Sequence, residues 1–243
     1  MTGKSFITAI LGLMCLTSCQ EDSPPFGALA KIESFYDDAR EVQFIESHKA
    51  LAKRDGDILE LRLVGGMTAR FQNLDRDQCM DKIRVNNITD GSEGCPVQYQ
   101  VVGYWKRHGI FLLDVFRYYE EHNFELVYAD GSITEILEFP FFSSNQTRFA
   151  TIQDGCGYYP DSLIAIFEMQ NGKFEPVHIS AFVEDNAIVV RSVRWDGTER
   201  VIFDVSDCGY PEAKNATLTV ERDQKGKWTW SGPMKATEVE RTP

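Results

Sequence analysis

The chain has 243 residues, 43% hydrophobic and 12% aromatic, which is enough apolar material for a folded core and excludes a disordered chain. Against 37 Asp and Glu stand 25 Lys and Arg, a formal charge of −12 that disfavours binding to nucleic acid or anionic lipid. Such a surface suits a basic partner, or serves solubility alone.

Lys4 precedes an apolar run from Phe6 to Leu16, and small residues follow, the order of a secretory signal. The run is too short to cross the roughly 30 Å of bilayer hydrocarbon, and no later stretch is long enough either. Leu16-Thr17-Ser18-Cys19 resembles the lipobox of bacterial lipoproteins. The resemblance implies that residues 1–18 are a signal peptide, that Cys19 is acylated and that it becomes the new N-terminus. The alternative is an ordinary signal peptide cut at another small residue. Two or more acyl chains anchor a protein stably where one is marginal. On the same resemblance, Gln20 in place of aspartate implies the outer membrane, facing the periplasm, although Asp22 lies close by. Loss of residues 1–18 removes the single cation Lys4 and takes the formal charge to −13. Residues 19–27, with two prolines and a polar composition, read as a lipidated tether.

Residues 28–56 read as an N-terminal helical segment. Ile32, Phe35, Val42, Phe44, Ile45 and Leu51 predict a helix over Ala28–Arg54 that packs on sheets or covers an open edge. Residues 57–232 read as a β-repeat domain, and 233–243 as a disordered tail.

Within 57–232 strand pairs follow one another. Asp57–Val64 and Met67–Phe71 flank Gly65-Gly66; Gln98–Trp105 and Gly109–Phe116 flank a Lys-Arg-His turn. Phe124–Tyr128 and Ser132–Ile136 flank Asp130-Gly131, and Leu163–Glu168 runs to Lys173-Phe174 through Asn171-Gly172. Ala187–Trp195 and Arg200–Phe203 flank Asp196-Gly197; Ala216–Glu221 reaches Trp228 through Gln224-Lys225-Gly226. Asn-Gly and Asp-Gly between alternating apolar runs mark hairpins, because both tolerate positive φ.

Three of these pairs look alike. Asp154-Gly-Cys156-Gly-Tyr158-Tyr159-Pro leads into one, Ser206-Asp207-Cys208-Gly-Tyr210-Pro into another, and Tyr118-Tyr119-Glu-Glu-His122 into a third without cysteine. Units of this size built on antiparallel strands predict stacked sheets, since one sheet cannot bury both faces alone. The expected fold is all-β, with blade repeats in a propeller-like, incomplete or open arrangement and one N-terminal helix; the alternative is a β-sandwich. Phe139 to Ile152 resembles the strand-turn-strand of WD40-like and TolB-like propellers, with Ser143–Gln146 where that family carries its proline-aspartate-glycine turn. Residues 71–232 as a whole resemble uncharacterised bacterial envelope lipoproteins with such repeats. That resemblance implies fold and compartment, and no activity.

With Cys15 removed and Cys19 acylated, Cys79, Cys95, Cys156 and Cys208 remain, an even number in an exported chain. Three connectivities are possible. Cys79 and Cys95 bracket a polar loop and are expected to pair, leaving Cys156 with Cys208. None stands in C-x-x-C spacing, and His48, His108, His122 and His178 form no metal-binding pattern, so no metal and no cofactor is expected. The acidic pairs Asp55/Asp57 and Asp75/Asp77 are candidates for calcium; the run Asn86–Gly91 resembles a calcium loop only as far as Ile88.

No nucleophile, base and oxyanion donor stand together, so no catalytic residue is assigned. Glu120, Glu121 and His122 are a polar cluster that reads as a solvated loop. Tyr118, Tyr119, His122, Tyr158, Tyr159 and Tyr210 are the candidate interaction surface, because tyrosine anchors interfaces well. The leading reading is a lipid-anchored, non-enzymatic envelope protein that binds another macromolecule. It would be a scaffold, or an inhibitor or immunity protein against a basic hydrolase. The alternative is an envelope hydrolase with a site assembled from loops.

Overall fold

The computed structural model describes residues 38–75, 77–78, 96–117, 122–136, 138–153, 162–182, 188–207, 216–232 and 237–238. They form a helix, α1 (Asp38–Ser47), and four antiparallel sheets. The helix ends well before Arg54, because Ala52–Asp55 is strand β1 and not helix. Ala52 to Asp55 pair with Leu61 to Ile58, which buries Ala52 and turns Lys53 and Asp55 to solvent. Cross-strand pairing overrides helix propensity there.

Sheet I contains β1, β2 (Ile58–Arg62) and β3 (Thr68–Gln72). Sheet II contains β4 (Pro96–Trp105), β5 (Ile110–Arg117), β6 (His122–Val127) and β7 (Ile133–Ile136). Sheet III begins with β8 (Phe141–Phe142), β9 (Arg148–Gln153), β10 (Ser162–Gln170) and β11 (Lys173–Phe182). Sheet IV contains β12 (Ile188–Asp196), β13 (Arg200–Asp207), β14 (Ala216–Arg222) and β15 (Trp228–Ser231). Strands adjacent in sequence are adjacent in each sheet. The final strand, β16 (Thr237–Glu238), falls in the stretch expected to be a disordered tail; it pairs with Ala181 and Ser180 on the free edge of β11. The three look-alike units become β6/β7, β10/β11 and β14/β15, the third and fourth strands of sheets II, III and IV. At the β10–β11 turn, Asn171 and Gly172 take φ of 51° and 83°, the two positive values a tight hairpin turn of this hand requires.

The sheets pack face to face in chain order. Along β5, Phe111, Leu113 and Val115 join Leu59, Leu61 and Phe71 of sheet I, while Ile110 and Leu112 join Phe149, Phe167 and Phe174 of sheet III. Along β10, Ala165 and Phe167 face sheet II, while Ile164 and Ile166 meet Val201, Phe203 and Leu218 of sheet IV. Strands buried on both faces read as unbroken apolar runs, as Ile110–Leu113 does. Each fully buried Leu, Ile or Phe contributes about 1.5–3 kcal/mol. The end sheets are one-sided. Ser192, Arg194 and Thr217 gather on the Asp204 carboxylate on the outer face of sheet IV, at 2.6, 2.8 and 3.3 Å. The Ser192 hydroxyl, aided by Arg194, holds that carboxyl below its usual range. On the outer face of sheet I, Arg70 pairs with Glu60 at 2.9 Å. Polar outer faces end the stack at both sides.

Side chains close the strand edges that backbone pairing leaves open. Val101 N–H donates to Glu41 of α1 at 3.0 Å, Tyr99 N–H to Asn73 at 2.9 Å, and Arg54 donates to the Tyr99 carbonyl at 2.5 Å. Arg54 also forms a bidentate pair with Glu41 at 2.6 and 3.0 Å. The helix is thereby clipped over the β4 edge, which protects it from pairing with another chain. Trp195 donates to the Phe141 carbonyl of β8 at 2.7 Å. The Ser162 hydroxyl accepts from Ile188 N–H at 2.8 Å and donates to the Ile188 carbonyl at 3.1 Å, joining sheets III and IV.

Gly109, at φ +66°, lies where a Cβ would come within 2.5 Å of Val64 Cγ2. Gly109→Ala is expected to cost about 1–2 kcal/mol from the left-handed backbone, with a further cost from displacing Val64. In urea melts it should lose more than Gly197→Ala, whose φ of +71° opens on empty space.

Candidate functional site

Seven hairpin turns meet on one rim of the stack. A Cβ on Gly109 would touch Val64, and one on Gly131 would sit 3.8 Å from Leu63. Trp105 donates to Gln146 at 2.9 Å, Lys173 pairs with Asp130 at 2.8 Å, and Arg148 reaches the Thr198 carbonyl at 2.9 Å. Near the β14–β15 turn, Arg222 lies 3.4 Å from Glu168. The other strand ends therefore share the opposite rim, and from it depart the connections 118–121, 154–161 and 208–215. Each joins the second strand of its sheet to the third.

Those connections carry the tyrosines singled out from the sequence. Tyr118, Tyr119, Tyr158, Tyr159 and Tyr210 lie outside the described residues, as do Cys19, Cys79, Cys95, Cys156, Cys208 and the run Asn86–Gly91. His122 opens β6, its backbone opposite Phe116. The structure thus brings the flanks of three tyrosine-bearing segments to one rim.

Beneath that rim, on the face of sheet II turned to sheet I, lies a cluster that sequence reasoning missed. Arg117 contacts Glu125 at 3.1 Å and Glu135 at 3.3 Å, and Glu125 and Glu135 stand opposite each other on β6 and β7. Burial pushes the Glu125 carboxyl up; the Arg117 guanidinium opposes this and Glu135 adds to it. Tyr99 is pushed up to about 12, first by burial and then by Glu125. Asn123 is buried, and its Oδ1 has no hydrogen-bond donor among the described residues. A single guanidinium between two carboxylates offsets one of their two negative charges and bridges β5, β6 and β7. The cluster's only sequence signal is a glutamate amid the apolar run Phe124–Tyr128.

The histidines sit apart. His48 stacks on Phe44 at the end of α1, its Nδ1 3.0 Å from the Phe44 carbonyl. His178 Nε2 lies 2.7 Å from Ser180 Oγ inside β11, and Ser180 is fully buried. His108, on the β4–β5 turn, packs edge-on against Trp105, its Nε2 buried and without a partner among the described residues. Burial and then Arg107 lower its pKa below 6.5. The folded state therefore resists protonation, and the stability this gives is full above the unfolded pKa and lost as pH falls through the folded one. Urea midpoints should drop as pH falls from neutral through this window, and His108→Gln should flatten that part of the slope. Of the acidic pairs, Asp55 contacts Lys53 at 3.3 Å and Asp75 accepts from Gln78 N–H at 2.8 Å. Among the described residues no three His, Cys, Asp or Glu side chains converge on a metal position.

Comparison with protein-family models, with curated proteins and with solved structures finds no match.

Proposed function

We propose that this chain is a lipid-anchored, non-enzymatic protein of the bacterial cell envelope, on the outer membrane facing the periplasm, that binds another macromolecule through its loop rim. The carrying observation is that the strands flanking three tyrosine-bearing segments, the second and third of sheets II, III and IV, end at equivalent positions on one rim. The four sheets act as blades of an open, propeller-like stack: consecutive meanders, an apolar cluster between each neighbouring pair, and hairpin turns gathered on one rim support that arrangement. The lipobox at Leu16–Cys19 supports the anchor. The formal charge of −13 after Cys19 becomes the N-terminus favours a basic partner, since opposite potentials steer encounter. A scaffold of an envelope complex and an inhibitor or immunity protein against a basic hydrolase both fit this description.

Capture from envelope extract tests the reading. At low ionic strength the full chain should retain a basic protein, and added salt should weaken the retention. Replacing Tyr118, Tyr119, Tyr158, Tyr159 and Tyr210 together by serine should abolish it while leaving the melt unchanged. Capture of no protein at low salt, or equal capture by the serine variant, would count against it.

A further inference from the structure

The large apolar side chains exposed on the described surface are not spread evenly. Of five, Val64, Met67 and Ile133 sit on the β2–β3 and β6–β7 hairpins, at 58%, 49% and 48% exposure. These hairpins abut, since a Cβ on Gly131 would lie 3.8 Å from Leu63, and Val64 overhangs Gly109 of the β4–β5 turn. The same corner carries Arg62, Lys106 and Arg107, all exposed, and no ion pair joins any of them to a described residue. Asp130, the acid on these turns, is already held by Lys173.

We propose that this corner of the turn rim docks on an anionic phospholipid surface. Three cations with no ion pair among the described residues, set beside three projecting apolar side chains, match an interface where headgroups are negative and the acyl boundary begins just beneath. A protein partner would need a recess for each projecting side chain; a bilayer surface yields to them. The net acidic charge of the chain is repelled by the same lipid, which favours the orientation that turns this corner toward the membrane. The inference goes beyond binding at the loop rim and leaves that rim free on the far side of the stack. It does not require acylation of Cys19, although an anchor would raise the local lipid concentration so that weak contacts suffice.

Hydrogen exchange on the full chain, held in nanodiscs of neutral phosphatidylcholine or of phosphatidylcholine mixed with phosphatidylglycerol, tests it. Exchange over 63–67, 106–109 and 129–133 should slow several-fold in the anionic discs only. The triple variants Arg62→Gln/Lys106→Gln/Arg107→Gln and Val64→Ser/Met67→Ser/Ile133→Ser should each lose that protection while keeping their circular dichroism. Equal exchange in the two discs, or protection confined to another surface, overturns the proposal. So does equal protection by soluble polyglutamate in neutral discs, which would assign the corner to an acidic polymer instead. Because only lipid charge differs between the discs, none of these outcomes bears on the acyl anchor or on partner capture at the loop rim.

Discussion

Arg148→Met is expected to destabilise the protein by about 3–5 kcal/mol, the cost of removing one partner from a buried ion pair. Arg148 is 7% exposed and ties sheet III to sheet IV. Its guanidinium contacts Glu168 at 2.5 Å, Glu199 at 2.7 Å and the Thr198 carbonyl at 2.9 Å, and lies 5.8 Å from the centre of the Trp228 ring. Methionine would keep much of the volume and leave Glu168 with Arg222 alone, at 3.4 Å. Arg194→Ala, on the exposed outer face of sheet IV, should change stability by no more than about 0.5 kcal/mol. Urea melts of the two variants measure the difference directly. Equal small losses would mean that the seam between sheets III and IV is solvated.

Trp105→Ala is expected to lose about 3–5 kcal/mol at the neighbouring seam, the range for emptying a large aromatic site. Trp105 is 2% exposed and stacks on Phe174 of sheet III at 5.0 Å, with Phe142 edge-on at 4.6 Å. Its indole N–H also donates to Gln146. The cavity would lie between sheets II and III, so unfolding should stay cooperative while its midpoint falls. Trp105→Phe should recover most of the loss and leave the Gln146 bond unmade. A loss below about 1 kcal/mol for the alanine variant would contradict close packing at this seam.

The hairpins were legible because each depends on local chemistry. Asp130-Gly131, Asn171-Gly172 and Asp196-Gly197 sit at the turns, and residues on either side pair as their alternation predicts. The repeat was legible for the same reason, since β6/β7, β10/β11 and β14/β15 reuse one local pattern. What the sequence concealed depends on distant partners. Ala52–Asp55 reads as more helix until Asp55-Gly56-Asp57 is recognised as the turn that returns it along β2. Thr237–Glu238 has no strand signal of its own and becomes one because β11 offers a free edge. Glu41, Arg54 and Asn73 look like ordinary surface residues, yet the open β4 edge recruits all three. Arg148, Glu168, Glu199 and Arg222 form a network across 75 positions of the chain that no local pattern announces. Of the candidate site, the tyrosine-bearing segments could be read directly, whereas the cluster of Arg117, Glu125 and Glu135 could not.

If the segments that join second to third strands in neighbouring sheets share one rim, Cys156 and Cys208 come within bonding reach, and disulfide mapping of the unreduced protein decides this. Leu163 pairs with Gln153, Ile188 pairs with Asp207, and Ser162 is bonded to Ile188. The strand ends that lead to Cys156 and Cys208 are therefore about three strand spacings apart, roughly 15 Å, within reach of the intervening residues at about 3.3 Å each. Proteolysis without reduction should release one linked peptide pair joining Cys156 to Cys208 and another joining Cys79 to Cys95. A linkage from Cys156 to Cys79 or Cys95, or a free thiol at Cys156 and Cys208, would contradict the account.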